Sequence, residues 1–212
     1  FMGGHRPNYP TFTDNDILNV HANATMENTK VTSEDGVDEI TLYKGSHTKD
    51  NTFETGSGND TINLNESTSG NIMRMGTGKD HVNIANDITV KDSEIYGDLY
   101  DEGGNGWKDV TGSTDTIKVG ENATLENVKI YGDALYDQYK TDPRYFSQEE
   151  RKAISGDDII DIGDNATLKN VEIYGDSDYE KGDFSHVTME GGNDTITIGN
   201  NAKLDNVKIN GE

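Results

Sequence analysis

The run Asp115-Thr-Ile-Lys-Val-Gly-Glu-Asn-Ala-Thr-Leu-Glu-Asn-Val-Lys-Ile-Tyr-Gly-Asp133 decides the fold, because the chain repeats it. It returns almost residue for residue from Asp158 to Asp176 and from Asp194 to Glu212. A weaker copy spans Asp80 to Asp98, and looser copies begin at Asp16, Asp38 and Asp60. The leading aspartates are 22, 22, 20, 35, 43 and 36 residues apart. One repeat is therefore 20–22 residues, and the last three spacings carry inserts. Self-similarity at such a period is the signature of a solenoid, in which each repeat buries its apolar face only against its neighbours.

Within a repeat the apolar period is two. Ile62 and Leu64, Val82 and Ile84, Ile117 and Val119, Ile160 and Ile162, and Ile196 and Ile198 alternate with polar residues after each aspartate. That is a half-buried strand. A second short strand is expected around Ala123 and Leu125, and a third around Val128 and Ile130. The inward register shifts at Asn127 and at the equivalent Asn170 and Asn206, where asparagine tolerates a left-handed bend. Stacked, these asparagines are expected to form an amide ladder. All three prolines (Pro7, Pro10 and Pro143) lie outside the repeats, as ladder hydrogen bonding requires. The expected fold is all-β: a right-handed parallel β-helix or β-solenoid of about seven coils. Residues 1–14 form a lead-in or cap, the solenoid spans 15–212, and inserts at 99–111, 134–154 and 177–190 leave from one flank.

Composition agrees with this architecture. Only 31% of the 212 residues are hydrophobic, too few for an ordinary two-layer core but enough for stacked coils. The net charge of −22 disfavours nucleic acid and anionic lipid as partners and favours divalent cations. There is no cysteine, which excludes disulfides, thiolate zinc sites and cysteine nucleophiles. No apolar run is long enough for a membrane span. The opening Phe1-Met2-Gly3-Gly4-His5 reads as fragment sequence, with any export signal expected elsewhere. The end at Asn210-Gly211-Glu212 falls on a repeat boundary, so further repeats or end-to-end association are expected.

Glycine-rich turns precede the leading aspartates: Gly56-Ser-Gly-Asn-Asp60, Gly76-Thr-Gly-Lys-Asp80, Gly112-Ser-Thr-Asp115, Gly156-Asp157-Asp158 and Gly191-Gly-Asn-Asp194. Repeated along one edge, such aspartates repel one another unless something positive sits between them, and Ca²⁺ prefers clustered oxygens. The alternative is that each aspartate only caps its own turn. Lys79, beside Asp80, suggests a basic residue at some rungs. The stretches Gly56–Leu64 and Gly76–Ile84 resemble the calcium-binding RTX (haemolysin-type) β-roll of bacterial secreted proteins and adhesins, with its G-G-x-G-x-D-x-U-x repeat; Gly191–Gly199 matches in part. The resemblance covers the turns, one per coil where the family has two. It implies Ca²⁺ at the turn aspartates Asp60, Asp80, Asp115, Asp158 and Asp194, with Asp157 beside them, and an extracellular or bacterial cell-surface location.

Each insert follows a Tyr-Gly-Asp stem, so Asp98, Asp133 and Asp176 form a second candidate metal column. The inserts are expected to stack on one flank, where solenoids bind their ligands. Eight of the ten tyrosines lie in the inserts or their stems, and Trp107 lies there too. Tyr100, Trp107, Tyr136 and Tyr179 are candidate contacts for an extracellular glycan or a host or cell-surface protein, unless the rings only anchor the inserts. A helical turn is expected at Gln148–Ala153, capped by Ser147 with Glu150 three residues on. Parallel β-helices also carry polysaccharide lyases, hydrolases and epimerases. The one neighbourhood that suits such chemistry is Arg144 and Arg151 with Asp137, Asp142, Glu149 and Glu150. The five histidines share no repeat position, and no phosphate loop or nucleophile elbow is present. A calcium-binding structural or adhesive module is the leading expectation, and a carbohydrate-active enzyme the rival. An ice-binding face built on Thr/Asn ladders is a third and weaker reading.

Overall fold

A computed structural model describes residues 15–101, 110–136, 151–176 and 187–211. Among them every regular element is a strand, and no helix is long and apolar enough to cross a membrane. The first coil is β1 (Ile17–Val20), β2 (Thr25–Glu27) and β3 (Lys30–Thr32). The second is β4 (Glu39–Leu42), β5 (His47–Lys49) and β6 (Thr52–Glu54), and the third β7 (Thr61–Leu64), β8 (Thr68–Ser69) and β9 (Ile72–Gly76). The fourth holds β10 (His81–Ile84), β11 (Thr89–Lys91) and a longer β12 (Glu94–Asp101), followed by β13 (Val110–Thr111). The fifth holds β14 (Thr116–Val119), β15 (Thr124–Glu126), β16 (Lys129–Tyr136) and β17 (Arg151–Ile154). The sixth is β18 (Ile159–Ile162), β19 (Thr167–Tyr174) and β20 (Val187–Glu190), and the last β21 (Thr195–Ile198) and β22 (Lys203–Asn210).

Like elements stack on like. The first strand of every coil joins one parallel sheet in the order β1-β4-β7-β10-β14-β18-β21, so seven coils are present. Second and third strands form two further faces, counted as one 12-stranded sheet because β19 runs through the corner between them. Register follows the repeat: Ile62 pairs with Val82, Val82 with Ile117, Ile117 with Ile160 and Ile160 with Ile196. The alternating side chains turn inward as expected, and Ile62, Leu64, Leu125, Val128, Ile130 and Ile173 are fully buried. Together with Phe53, Met73 and Ile95 they make one continuous axial core. In the last coil Ile196, Ile198 and Val207 are only partly buried, since they are packed from one side.

The expected bend is there. Asn127, Asn170 and Asn206 sit at φ +56, +52 and +54, in the left-handed region. Asn28, Asp50, Gly70 and Asp92 hold the equivalent place in earlier coils, also at positive φ. The amide ladder forms: Asn206 Nδ2 donates to Asn170 Oδ1 at 2.9 Å, Asn170 to Asn127 at 3.0 Å, and Asn127 to Asp92 Oδ1 at 2.7 Å.

The inserts differ from expectation in one respect. Their limbs are not loops but strands. Strand β12 continues beside β16 through Asp101↔Tyr136, and the returning limbs form a third sheet in the order β13-β17-β20. The helical turn expected at Gln148–Ala153 is therefore wrong over Arg151–Ala153, which belong to β17. The backbone groups there pair with β13 and β20, and that pairing outweighs a local capping signal. Residues 148–150 lie outside the described residues, as does the lead-in at 1–14.

Candidate metal centre

The turn aspartates come into register and face inward. In each case the backbone N–H of one rung donates to Oδ1 of the next: Asp38 to Asp60 at 2.8 Å, Asp60 to Asp80 at 2.7 Å, Asp80 to Asp115 at 2.8 Å, Asp115 to Asp158 at 2.8 Å and Asp158 to Asp194 at 2.9 Å. Asp16 N–H donates to Asp38 Oδ1 in the same way, at 2.7 Å. One carboxylate oxygen of each rung is thus used to hold the rung before it. The other, Oδ2, is buried without a hydrogen-bond partner in Asp60, Asp80, Asp115, Asp158 and Asp194.

The stem aspartates do not form a separate column. They interleave with the turn aspartates into one spine. Asp80, Asp98 and Asp115 each offer an oxygen within 4.8 Å of the other two, and so do Asp115, Asp133 and Asp158. Asp80, Asp115, Asp133 and Asp158 are each 1% exposed and Asp98 0%. Each stem acid also pins the base of its insert. Asp98 Oδ2 accepts the Ser113 N–H at 2.6 Å, Asp133 Oδ2 accepts the Gly156 N–H, and Asp176 Oδ2 accepts the Gly192 N–H at 3.0 Å.

Glycine makes this approach feasible. A Cβ on Gly132 would lie 2.1 Å from Asp158 Oδ2, one on Gly97 2.4 Å from Asp115 Oδ2, and one on Gly175 1.9 Å from Asp194 Oδ2. None of these three glycines has a positive φ. The Tyr-Gly-Asp stem therefore needs glycine for space rather than for backbone freedom.

Burial pushes the spine carboxyls upward, and neighbouring acids add to the effect. Asp80 and Asp158 rise to about 8, Asp133 to about 9 and Asp115 to about 10, from an ordinary 3.8. Asp194, in the last coil, rises to about 6. Asp60 and Asp176 are also raised by burial, although the hydroxyls of Thr55 and Ser155 respectively oppose the rise. All of them but Asp194 are at most 4% exposed and so are shielded from bulk water. Either protons or a cation must supply the missing positive charge.

The donor set is all oxygen, which suits a hard cation rather than zinc or copper. Oxygens within 4.8 Å of one another fit around one Ca²⁺, whose ligands lie ~2.3–2.6 Å from the ion. Three carboxylates fall short of its usual six to eight oxygens, and the remaining ones would have to be backbone carbonyls or water.

Not every expected residue belongs to the spine. Asp157 is exposed, and its Oδ1 accepts the Asn193 N–H at 2.8 Å, so it braces the outer turn instead. Lys79 is likewise exposed, its N–H donating to Asn59 Oδ1, and Asp80 remains an ordinary member of the column. Asp38 was not among the expected ligands, yet it is a buried rung at 2% exposure; its place at the head of a repeat was the available signal. The stem tyrosines stack on one another: Tyr96 on Tyr131 and Tyr131 on Tyr174, each at 5.0 Å and 4°. Lys208 sits 4.8 Å over the Tyr174 ring. Of the candidate ligand contacts, Trp107 and Tyr179 lie outside the described residues. Tyr100 and Tyr136 are placed only as backbone in β12 and β16, where they pair with Leu135 and Asp101 rather than with each other. Asp137, Asp142, Arg144, Glu149 and Glu150 also lie outside the described residues.

Compared with protein-family models, with curated proteins and with solved structures, the chain matches none of them.

Proposed function

We propose that the chain is a calcium-binding structural repeat module of a secreted or cell-surface bacterial protein, with the insert flank as its adhesive face. The observation that carries the calcium reading is the set of buried carboxylate oxygens on the spine, crowded together and lacking hydrogen-bond partners. Removing an ionised carboxylate from water costs several kcal/mol unless a counter-charge is supplied, and the described residues place no lysine or arginine among these acids. A cation would neutralise the spine and tie successive coils together. An acidic, cysteine-free rod of this kind suits an extracellular setting, where calcium is at millimolar levels and modules bind it with Kd of roughly 10⁻⁴–10⁻³ M. The adhesive half is supported by the returning limbs β13, β17 and β20, which lie side by side in one sheet.

The test is thermal unfolding in calcium and in EDTA at pH 7.5. With ~10 mM calcium, a site of that affinity adds about 1.4–2.7 kcal/mol. A chain of this size gains ~2–4 °C per kcal/mol, so the midpoint should rise by about 3–11 °C, with magnesium giving less. Identical midpoints in calcium and EDTA would end the reading.

A further inference from the structure

Resting on that reading, we infer that cations occupy only the C-terminal half of the spine, at two nodes sharing Asp115: Asp80–Asp98–Asp115 and Asp115–Asp133–Asp158. The Asp38 and Asp60 rungs carry none. All the rungs look alike in sequence, so the distinction comes from what stands beside each carboxylate.

One column of residues runs alongside the aspartates. Register along the third face aligns Ser33, Thr55, Met75, Gly97, Gly132 and Gly175. In the first two members the column supplies a hydroxyl. Ser33 Oγ donates to Asp38 Oδ2 at 2.5 Å, and the Thr55 hydroxyl donates to the Met75 carbonyl at 2.5 Å while opposing the burial-driven rise of the Asp60 carboxyl's pKa. At Met75 the hydroxyl is gone, and from Gly97 onward even the Cβ is gone. At the next position along the chain, each glycine of the column is followed by an acid (Asp98, Asp133 and Asp176), whereas Thr55 and Met75 are followed by glycine.

The direction of this exchange separates a hydroxyl-capped rung from a cation site. If hydroxyl donors satisfied the spine, replacing a donor by glycine and adding a further buried acid would leave carboxyl oxygens without a partner. If a cation sits there, each change improves the site, because the hydroxyl is cleared and another anionic ligand arrives. Burial reports the same asymmetry. The unpartnered Oδ2 atoms of Asp80, Asp115 and Asp158 and Oδ1 of Asp133 belong to the two nodes, whereas Asp38 has both oxygens bonded and Asp60, whose Oδ2 is also unpartnered, stands in no group of three close carboxylates among the described residues. Charge balance also fits. The five carboxylates of the two nodes carry −5 when ionised, against +4 from two divalent cations bridged by Asp115. The ligand class is a hard divalent cation of calcium's size.

The experiment counts calcium ions bound to the full chain by mass spectrometry under native conditions, with calorimetric titration of calcium chloride as a second readout. Asparagine variants are used because the side-chain oxygen can still accept the backbone N–H of the preceding rung, and circular dichroism confirms that each is folded. Asp98→Asn and Asp133→Asn should each lose one ion relative to the parent, Asp115→Asn should lose two, and Asp38→Asn and Asp60→Asn should lose none. A parent chain that binds no calcium defeats the proposed function itself. A parent that binds, with Asp115→Asn keeping its ions or Asp38→Asn losing one, defeats this placement alone.

Discussion

Gly132→Ala is the sharpest probe of the interleaved spine, because its effect is steric and local. The glycine sits in β16 between β12 and β19, registered on both sides, so the backbone has little freedom to move. A Cβ there would lie 2.1 Å from Asp158 Oδ2 and 2.3 Å from the Gly175 carbonyl oxygen. Real contacts of this kind stay beyond 3 Å, so either the carboxylate or the neighbouring strand must shift by about 1 Å. Overpacking of this severity costs about 3 kcal/mol. Alanine returns about 0.4–1 kcal/mol by restricting the unfolded chain, leaving a net loss of roughly 2 kcal/mol. At ~2–4 °C per kcal/mol the midpoint should fall by about 4–8 °C. The matched control is Gly211→Ala, whose Cβ would meet nothing within 4 Å and which should be neutral or slightly stabilising. The assay is urea and thermal unfolding of parent and both variants in EDTA, which removes any cation effect from the comparison. A Gly132→Ala chain that melts at or above the parent would refute the claim that the stem glycine is there to seat the next coil's aspartate.

Two further outcomes follow from the same geometry. In EDTA the chain should become more stable as pH falls from 8 to 6. The buried carboxyls of Asp80, Asp115, Asp133 and Asp158 titrate at about 8–10 in the folded state against 3.8 when unfolded, so in this window the folded state holds protons that the unfolded state has released. One such proton is worth about 1.4 kcal/mol per pH unit, hence ~3 kcal/mol over the window, and calcium should flatten or invert the trend by displacing protons. A metal-free midpoint that is unchanged or lower at pH 6 than at pH 8 contradicts the burial argument. In the core, Leu125→Ala should cost about 2–5 kcal/mol in chemical denaturation, because Leu125 is fully buried and stacked between Val90 and Leu168; a loss below 1 kcal/mol would mean that the axial core is not close-packed there.

The fold was legible because three independent signals share one period. The Ile-x-Ile alternation, the leading aspartate and the left-handed asparagine each recur once per coil, and each maps to a specific place in the structure. The convergence of the two acid columns was harder to read, since the inserts separate Asp98 from Asp115 and Asp133 from Asp158. The clue lay in the spacing from the other side. Asp98 follows Asp80 by 18 residues in coils of 20–22, so it has nearly completed a circuit and returns almost over its starting point. Reading Tyr-Gly-Asp as the exit to a loop hid this; the strand in fact continues past the aspartate to Asp101. The helical turn failed for a related reason. A capping box is a local preference worth about 1 kcal/mol, and it competes with a row of unsatisfied backbone groups on the neighbouring limbs.

Why a solenoid would bury acids at all, when apolar residues would be cheaper, is answered by register. Alternating Ile and Val face inward at every second position, so a coil shifted by two residues would still bury its apolar side chains, and the hydrophobic pattern alone leaves such slips nearly degenerate. The aspartate spine removes the degeneracy. Each Oδ1 accepts one particular N–H, that of the aspartate one coil earlier, and a slipped coil would strand both the acid and the amide in the interior. The asparagine ladder repeats the constraint at another corner, where only residues tolerant of a left-handed backbone can stand. Polar ladders therefore choose one stacking among several that the apolar core would accept. The stem acids at Asp98 and Asp133 do more than register requires, because the rungs at Asp38 and Asp60 stack without them. Those added buried carboxyls are what the proposed cation would use and what a purely structural ladder would not need.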